Sequence, residues 1–321
     1  MSLPEFDFHA PGTVDEACRM VAEYGDKAKI FAGGTDLMLD MRRKRISPEH
    51  VISIPQIEEL KTIDQAPGLL KIGACVTVSR IVKSKEIGAK WGALCAGGKA
   101  LGSCLVRNLA TVGGNLASAR PAADMPPPLM AYGASLVLKN TSGERVVSLD
   151  DFFKGAGVTV MTPDEILTEI RIPEPPAHSG AGYFNLGIRN ACDINILNVA
   201  SYIALDGPGG AVKSARIVMG CVAPTHVRAL AAESLLIGEK PSEALFQSAG
   251  EAAMKAATPR GSAYSRASAE YKKDMVKELT VRTLTMAYRE AMGLTASLPK
   301  TVDPRWFVKG AFHEKADSCD G

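Results

Sequence analysis

KIFAGGTDLMLD, residues 29–40, runs an apolar approach into two glycines, a threonine and an aspartate. RNLATVGGNLASARPAAD, residues 107–124, repeats this pattern with a second glycine pair. Glycine tolerates positive φ and lets backbone approach a ligand closely, and successive amides in such turns bind phosphate oxygens without a cationic side chain. The two stretches together predict a cradle for a nucleotide diphosphate. Two tight turns with no ligand are the alternative interpretation.

The polar side chains of the two loops fall into two groups. Thr35, Thr111 and Asn115 are neutral donors that suit phosphate oxygens. Asp36 and Asp124 would repel phosphate, so we expect them to cap a turn or to accept hydrogen bonds from ribose hydroxyls or base amines. No GxxxxGK[ST] motif is present, and Gly155-Ala-Gly157 lacks the third glycine of a dinucleotide fingerprint.

Composition narrows the class of protein. The 321 residues suffice for two or three domains, and 37 Lys and Arg against 35 Asp and Glu leave a net charge of +2, which disfavours nucleic-acid binding. The five histidines are scattered, so no metal site is predicted. The acidic N-terminal region and the absence of an apolar run of about 20 residues predict a soluble, cytoplasmic protein without a membrane span. The seven cysteines form no CxxC pair, and we expect most of them to be buried small hydrophobes.

Local patterns predict an α+β fold. Thr13 and Glu16 have the spacing of a capping box before a short helix that Gly25 ends. Strands are expected at 29–32 and 51–54, strand and loop through 69–81, a helix at 91–101 and a strand at 135–139. The proline-rich residues 173–180 predict a linker, after which a hairpin turns at 206–210 and helices cover 229–237, 243–256 and 266–292.

Six segments of the chain together resemble one known family, the FAD-binding medium subunit of the molybdenum hydroxylases, which include xanthine dehydrogenase and aerobic carbon monoxide dehydrogenase. The segments are, in order, AGGTDL (32–37), IGACVTVSRI (72–81), VRNLATVGGNLASARPAADMPPPLMAYGA (106–134), DDFFKG (150–155), ILTEIRIP (166–173) and RASAEYKKDMVKELTVRTL (266–284). The resemblance implies a two-subdomain FAD-binding domain of the vanillyl-alcohol-oxidase type at 1–178, divided near residue 60. A small C-terminal α+β domain at 179–294 and an irregular tail at 295–321 would follow.

The resemblance also implies FAD as cofactor and a set of residues that hold it, with no catalytic side chain and no metal ligand. The segment Ile30 to Leu37 would line the cofactor, with the amides of Gly33, Gly34 and Thr35 near the diphosphate. The implied contacts are Ile30, Phe31, Ala32, Gly33, Gly34, Thr35, Asp36, Leu37, Thr111, Gly113, Gly114, Asn115, Asp124 and Leu167. Asp124 matches an acid that the family places against the cofactor, and Leu167 matches an apolar contact. Asn185 departs from the lysine that xanthine dehydrogenase relatives often carry there.

The function that the resemblance implies is electron transfer. Electrons from [2Fe-2S] centres of a small subunit, fed by a large molybdopterin subunit, would reach FAD here and pass to NAD⁺ or another external acceptor. The assembly would be a heterotrimer that can in turn dimerise. We expect apolar partner surfaces at residues 120–128 and at Trp306 and Phe307. A stand-alone FAD-dependent reductase or oxidase and a non-enzymatic nucleotide-binding module remain alternatives at this stage.

Overall fold

The computed structural model describes residues 3–189, 192–260 and 266–294. Among these residues, three larger sheets and a small two-stranded sheet combine with helices, which confirms the predicted α+β class. The tail at 295–321, with Trp306 and Phe307, lies outside the described residues. The cysteines behave less uniformly than expected: Cys18, Cys75 and Cys95 are buried, whereas Cys104 and Cys192 are exposed.

The first sheet is parallel and has three strands in the order β1-β3-β2. Its strands are β1 (Asp7–His9), β2 (Ala28–Phe31) and β3 (His50–Ser53). Helix α1 (Val14–Tyr24) connects β1 to β2, and it begins and ends where the capping pattern predicts, because the Thr13 side chain accepts from the Glu16 amide and Gly25 takes a positive φ of 51°. Helix α2 (Leu37–Arg42) follows β2, so the first glycine loop lies between a parallel strand and a helix.

The second sheet is antiparallel and has five strands, in the order β4-β5-β10-β6-β7. Its strands are β4 (Ile63–Ala66), β5 (Leu69–Gly73), β6 (Ser135–Asn140), β7 (Gly143–Ser148) and β10 (Ile166–Pro173). Between β7 and β10 lie helix α9 (Leu149–Phe152) and the small hairpin of β8 (Phe153–Gly155) and β9 (Val158–Thr159). The Gly155-Ala-Gly157 motif is therefore the turn of this hairpin.

Six short helices connect β5 to β6. They are α3 (Val78–Lys83), α4 (Lys85–Lys90), α5 (Gly92–Ala100), α6 (Cys104–Leu109), α7 (Val112–Ala117) and α8 (Pro126–Ala131). The expectation of strand and loop through residue 81 holds to Thr77 and is wrong from Val78 onward, because the Thr77 side chain caps α3 by accepting from the Arg80 amide. The predicted helix at 91–101 is present as α5.

The third sheet is antiparallel, with four strands in chain order. They are β11 (Ser179–Leu186), β12 (Leu197–Leu205), β13 (Val212–Gly220) and β14 (Val227–Arg228), followed by α10 (Leu230–Leu236), α11 (Glu243–Ala256) and α12 (Ala269–Ala291). The predicted hairpin and three helices agree with these bounds within a few residues. The predicted linker is wrong at its end, because β11 already starts at Ser179.

This third sheet is covered on both faces, and all nine residues of β12 are buried. One face packs under α10, α11 and α12, and Gly182 permits close contact because a Cβ there would lie 2.4 Å from the Thr283 carbonyl oxygen. The other face contributes Tyr183 and Ala200 to the core cluster of the preceding sheet and helices. Residues after 178 therefore help to shape the part of the chain that holds the glycine loops. The domain boundary at 178 itself stays a prediction.

Candidate functional site

The first glycine loop crosses from β2 to α2, and every residue from Ile30 to Leu37 is half-buried. Both glycines are required by contacts within the protein. A Cβ on Gly33 would lie 2.1 Å from the carbonyl oxygen of Leu109, and Gly34 has a φ of 67° with its Cβ position 2.4 Å from the Phe31 ring. These distances are too short for any side chain, so the loop passes directly against α6.

The amides of this loop are unused. Gly33, Gly34, Thr35 and Asp36 donate to no protein acceptor among the described residues. The Gly34 and Asp36 carbonyls instead accept from the α2 amides of Met38 and Asp40, each at 3.0 Å. Consecutive free amides at the start of a helix are a favourable environment for an anion, because the backbone donors and the helix dipole act together. The first loop therefore keeps the donors that a diphosphate needs.

The second glycine pair is helical, whereas the sequence pattern predicted a turn. Thr111 is the N-cap of α7, so Gly113 and Gly114 lie in the first helical turn. The Gly113 amide donates to the Ala74 carbonyl at 2.9 Å, the Gly114 amide to the Thr111 Oγ1 at 3.1 Å and the Asn115 amide to the Thr111 carbonyl at 3.0 Å. A Cβ on Gly113 would also lie 2.6 Å from that of Ala74. These three amides are already satisfied within the protein, so at the glycine pair only side chains can add donors.

Two such side-chain donors remain. The Thr111 hydroxyl accepts from Gly114 but keeps its own proton for donation. The Asn115 side chain accepts from the Met125 amide through Oδ1 at 3.4 Å, and its NH₂ group makes no hydrogen bond among the described residues. Asn115 is half-buried and Thr111 is buried. Their predicted contact with the cofactor stays a prediction.

The two loops lie against each other, and the surface that residues 32–36 and 111–115 share is named the groove. A Cβ on Gly114 would lie 4.0 Å from the Ala32 Cβ, so the loops are in van der Waals reach at that point. Arg120 also links them, because its Nε lies 2.8 Å from the Asp36 carboxylate and its Nη2 lies 2.8 Å from that of Asp40. Asp36 occupies the N-cap position of α2 without a side-chain capping bond, and its charge is balanced by Arg120 instead.

Asp124 is buried at one end of the second loop, with 7% of its surface exposed. Its Oδ1 accepts from the Tyr183 hydroxyl at 2.8 Å and from the Asn195 Nδ2 at 2.7 Å. Its Oδ2 has no donor among the described residues and is not sealed from solvent. Burial raises the pKa of Asp124, although both hydrogen bonds act in the opposite direction. Leu167 lies in β10 and is 5% exposed as part of the core.

Sequence reasoning missed the groups that hold the segment before Asp124. The carbonyls of three successive residues, 121–123, each accept a hydrogen bond from a residue beyond position 190. The Cys221 amide donates to the Pro121 carbonyl at 2.9 Å. The Asn195 Nδ2 donates to the Ala122 carbonyl and the Asn198 Nδ2 to the Ala123 carbonyl, each at 3.0 Å. One signal was available. Asn198 lies near the start of a largely apolar strand, and a buried amide in such a run requires partners.

One expectation about a partner surface is wrong for most of its residues. Residues 123–128 are all buried, so most of the stretch 120–128 is not the exposed apolar surface that the sequence suggested. Exposed apolar side chains lie instead at Leu105 and Leu109 of α6.

A cleft of about 210 Å³ is lined in part by Val14, Lys139 and Arg171 and contains no residue of either glycine loop. Its cationic groups, Lys139 and Arg171, are paired with neighbouring carboxylates.

The described residues contain neither a metal-binding cluster nor a membrane-spanning helix. No group of three or more His, Cys, Asp or Glu side chains within residues 3–189, 192–260 and 266–294 could hold a metal ion. Within the same ranges, no helix combines the length and the apolar character that crossing a bilayer requires.

Comparison with known proteins identifies the family. Residues 4–175, which contain both glycine loops, match the family model described as the FAD binding domain in molybdopterin dehydrogenase. The chain belongs to this family. Residues 182–287 of this FAD-binding subunit match the CO dehydrogenase flavoprotein C-terminal domain, so an FAD-binding domain is followed by a C-terminal domain.

Relatives of the FAD-binding subunit match over nearly their whole length. The carbon monoxide dehydrogenase medium chain of Hydrogenophaga pseudoflava is 32% identical, over 90% of this chain and 99% of that protein. The xanthine dehydrogenase FAD-binding subunit of Escherichia coli O157:H7 is 29% identical over the same shares. Among solved structures, carbon monoxide dehydrogenase from Hydrogenophaga pseudoflava superposes with a TM-score of 0.86 at 33% identity, covering 90% of this chain and 99% of that chain. Quinoline 2-oxidoreductase from Pseudomonas putida 86 gives 0.83 at 28%, covering 91% and 100%.

The groove between the loops fits the cofactor of this family, FAD. The four free amides at residues 33–36 match the need of a diphosphate for donors. The free Oδ2 of Asp124 matches the need of FAD hydroxyl or N–H groups for an acceptor. The FAD-binding subunit is thus an oxidoreductase component of the molybdenum hydroxylase type, with the redox chemistry supplied by its flavin.

Proposed function

We propose that this subunit carries electrons within a molybdenum hydroxylase complex. It receives them from the [2Fe-2S] centres of a small partner subunit, which a large molybdopterin subunit reduces, and delivers them to an external acceptor such as NAD⁺. The observation that carries the proposal is a set of unpaired polar groups in the two glycine loops: the amides of residues 33–36 have no acceptor among the described residues, and Asp124 keeps its Oδ2 free while Tyr183 and Asn195 hold its Oδ1. The chain binds and orients FAD, and FAD supplies the redox chemistry.

In the proposed binding mode, the two glycine loops make different contacts with FAD. The amides of Gly33, Gly34 and Thr35 hold the diphosphate, and Asp36 and its partner Arg120 fix the far side of the first loop. The remaining contacts come from Ile30, Phe31, Ala32 and Leu37 along the first loop and from Thr111, Gly113, Gly114, Asn115, Asp124 and Leu167 across the groove. We further propose the domain division 1–178 and 179–294, which assigns β11 to the second domain.

The partner surface is proposed beside this groove. Leu105 and Leu109 of α6 are 78% and 62% exposed, and Ile188 and Ile194 are 65% and 61% exposed. The Cys192 amide donates to the Gly102 carbonyl at 3.4 Å, which brings the segment of the two isoleucines next to the start of α6. Clustered apolar side chains of this kind are typical of protein interfaces. A heterotrimer located in the cytoplasm is part of the same proposal.

The first test is an absorbance spectrum of the purified chain, with the released cofactor identified by mass. We expect a flavin spectrum and FAD, and we expect reduced [2Fe-2S] partner to bleach it under anaerobic conditions. A chain that turns over a small organic substrate without any partner subunit would instead support a stand-alone reductase or oxidase. Failure of the small subunit to reduce bound FAD would contradict the electron-transfer proposal.

The second test concerns the site. Asp124→Asn replaces the free Oδ2 acceptor by a group of the same shape, and we expect FAD affinity to fall about tenfold, because a hydrogen bond to a charged acceptor is worth about 1.5 kcal/mol or more. Glu144→Gln in the exposed strand β7 is the matched control and leaves the FAD dissociation constant unchanged. Equal affinity in Asp124→Asn and the wild type would remove Asp124 from the site.

A further inference from the structure

We propose that Tyr183 and Asn195 are positioning residues for Asp124: they hold its Oδ1 so that its Oδ2 faces the FAD groove and accepts a hydrogen bond from the cofactor. This inference rests on the proposed contact between Asp124 and FAD. It adds to the site two residues that lie outside both glycine loops, one in β11 and one in the segment that precedes β12.

The geometry at the carboxylate is asymmetric. The Tyr183 hydroxyl and the Asn195 Nδ2 both donate to Oδ1, at 2.8 and 2.7 Å, whereas Oδ2 receives nothing from the described residues. A carboxylate turns readily about its last bond, because that torsion is broad. Two donors arriving at one oxygen from different elements fix the plane of the group. The second oxygen is then held in a defined direction with its lone pairs free.

Each donor is itself oriented. The Asn198 Nδ2 donates to the Tyr183 hydroxyl at 3.3 Å, so the hydroxyl proton is directed to Asp124. The Asn185 Nδ2 donates to the Asn195 Oδ1 at 3.1 Å, which sets the amide of Asn195 with its NH₂ group toward Asp124. Each hydrogen bond in this buried network restricts the orientation of the next donor, and among the described residues Asn198 Oδ1 is the atom of the network that is buried without a partner. Asn185 thereby acts on Asp124 through Asn195.

The arrangement links FAD binding to the third sheet. Asn185 of β11 lies directly opposite Asn198 of β12 in the antiparallel ladder. The same side chains that hold the Asp124 carboxylate also hold the backbone before it, because Asn195 donates to the Ala122 carbonyl and Asn198 to the Ala123 carbonyl, each at 3.0 Å. The sheet after residue 178 therefore sets the position of an acid that belongs to the preceding part of the chain.

The experiment measures the FAD dissociation constant of the full chain, prepared without FAD, by flavin fluorescence quenching. Tyr183→Phe removes only the hydroxyl, and we expect FAD affinity to fall about fivefold, with about tenfold for Asn195→Ala. Tyr132→Phe is the matched control, since Tyr132 lies in the same core, is 7% exposed and receives the Ala93 amide at 3.3 Å away from this network. Its dissociation constant stays at the wild-type value.

Two further readouts separate positioning from a structural role. In an Asp124→Asn background, adding Tyr183→Phe changes the dissociation constant less than twofold, because the hydroxyl acts only through the carboxylate. In the wild-type background, Tyr183→Phe also moves the acid limb of the affinity profile to higher pH, since a hydrogen bond that lowers the pKa of Asp124 is lost.

Three outcomes are decisive. Wild-type FAD affinity in Tyr183→Phe would overturn the inference, and so would an equal loss of affinity with and without Asp124. Unchanged affinity in Asp124→Asn would mean that the contact with FAD is itself wrong, which is a failure of the proposed site rather than of the positioning residues. Melting temperatures of all variants verify that each one is folded, and Tyr183→Phe remains informative if Asn195→Ala unfolds.

Discussion

The two glycine loops look alike in sequence but use their backbones differently. In the first loop the amides of residues 33–36 have no protein acceptor among the described residues. In the second loop the amides of residues 112–115 are all used, by the carbonyls of Val76 and Ala74 in the turn after β5 and by the hydroxyl and carbonyl of Thr111. The first loop therefore offers donors to a ligand, while the second serves as a rigid wall that presents side chains.

One glycine of each pair is required by close packing within the protein. Gly33 and Gly113 are both placed where a Cβ would collide with backbone of the same chain, at 2.1 Å from the Leu109 oxygen and 2.7 Å from the Ala74 oxygen. Each is explained by close packing of protein on protein. A glycine pair is thus weak evidence for a phosphate site by itself, and the free amides are the better criterion.

The largest expected effect is on the contact between the loops. Gly33→Ala places a Cβ against the Leu109 carbonyl, and we expect a loss of about 3 kcal/mol in the free energy of unfolding, because neither backbone can move away without disturbing the groove. Denaturant unfolding of Gly33→Ala and of the wild type measures this difference in the free energy of unfolding. Gly12→Ala is the control, since its Cβ would find its nearest neighbour at 3.9 Å. Equal stability of the two variants would show that the loops can separate freely.

The second prediction concerns the support of the second loop. His226 is buried beside the Ala123 backbone of the second loop, and neither ring nitrogen makes a hydrogen bond of normal geometry with the described residues. Burial lowers the pKa of His226 from 6.5 to about 4, although the Ala123 backbone acts in the opposite direction. The unfolded chain therefore binds more protons between these two pH values, so stability from this residue is complete above about pH 6.5 and decreases as pH falls toward about 4, by about 3 kcal/mol in total.

Unfolding measured from pH 7 to 4 checks this prediction. His226→Phe keeps a ring beside Phe153, which lies 5.1 Å from the histidine ring, and removes the titration. We expect a shallower loss of stability for that variant on acidification. Identical pH profiles of variant and wild type would contradict a buried neutral His226.

The third prediction tests whether Thr111 stabilises the protein as the N-cap of α7 in the absence of FAD. Thr111→Val removes the oxygen that accepts from the Gly114 amide, and we expect a loss of about 1 kcal/mol in stability, the usual value of an N-cap. Thermal unfolding without FAD measures this change. A variant as stable as the wild type would mean that the second loop does not depend on its cap.

The smallest effect is expected at the corresponding threonine of the first loop. Thr35→Val removes a hydroxyl that makes no hydrogen bond among the described residues, so stability without FAD stays unchanged. FAD affinity falls about threefold to fivefold, because a neutral hydrogen bond contributes about 1 kcal/mol. Titration with FAD checks it, and a stability loss like that of Thr111→Val would remove the contrast between the loops.

The sequence by itself determined the local elements and the family. The Thr13 capping pattern predicts α1, the glycine-rich turn at 206–210 predicts the hairpin of β12 and β13, and the motifs identify the FAD-binding domain. These features depend on backbone preferences and on neighbours a few residues apart, which a sequence displays directly. The position of both glycine loops was also visible in this way.

Only the tertiary structure decided how those loops are used. Whether an amide is free depends on which carbonyl packs against it, and the acceptors of Val112 and Gly113 come from residues 76 and 74. The partners of Asp124 are 59 and 71 residues away, on Tyr183 and Asn195. No local pattern encodes such pairings, because they arise when separate sheets pack and each buried polar group must find a partner among the groups that packing brings near.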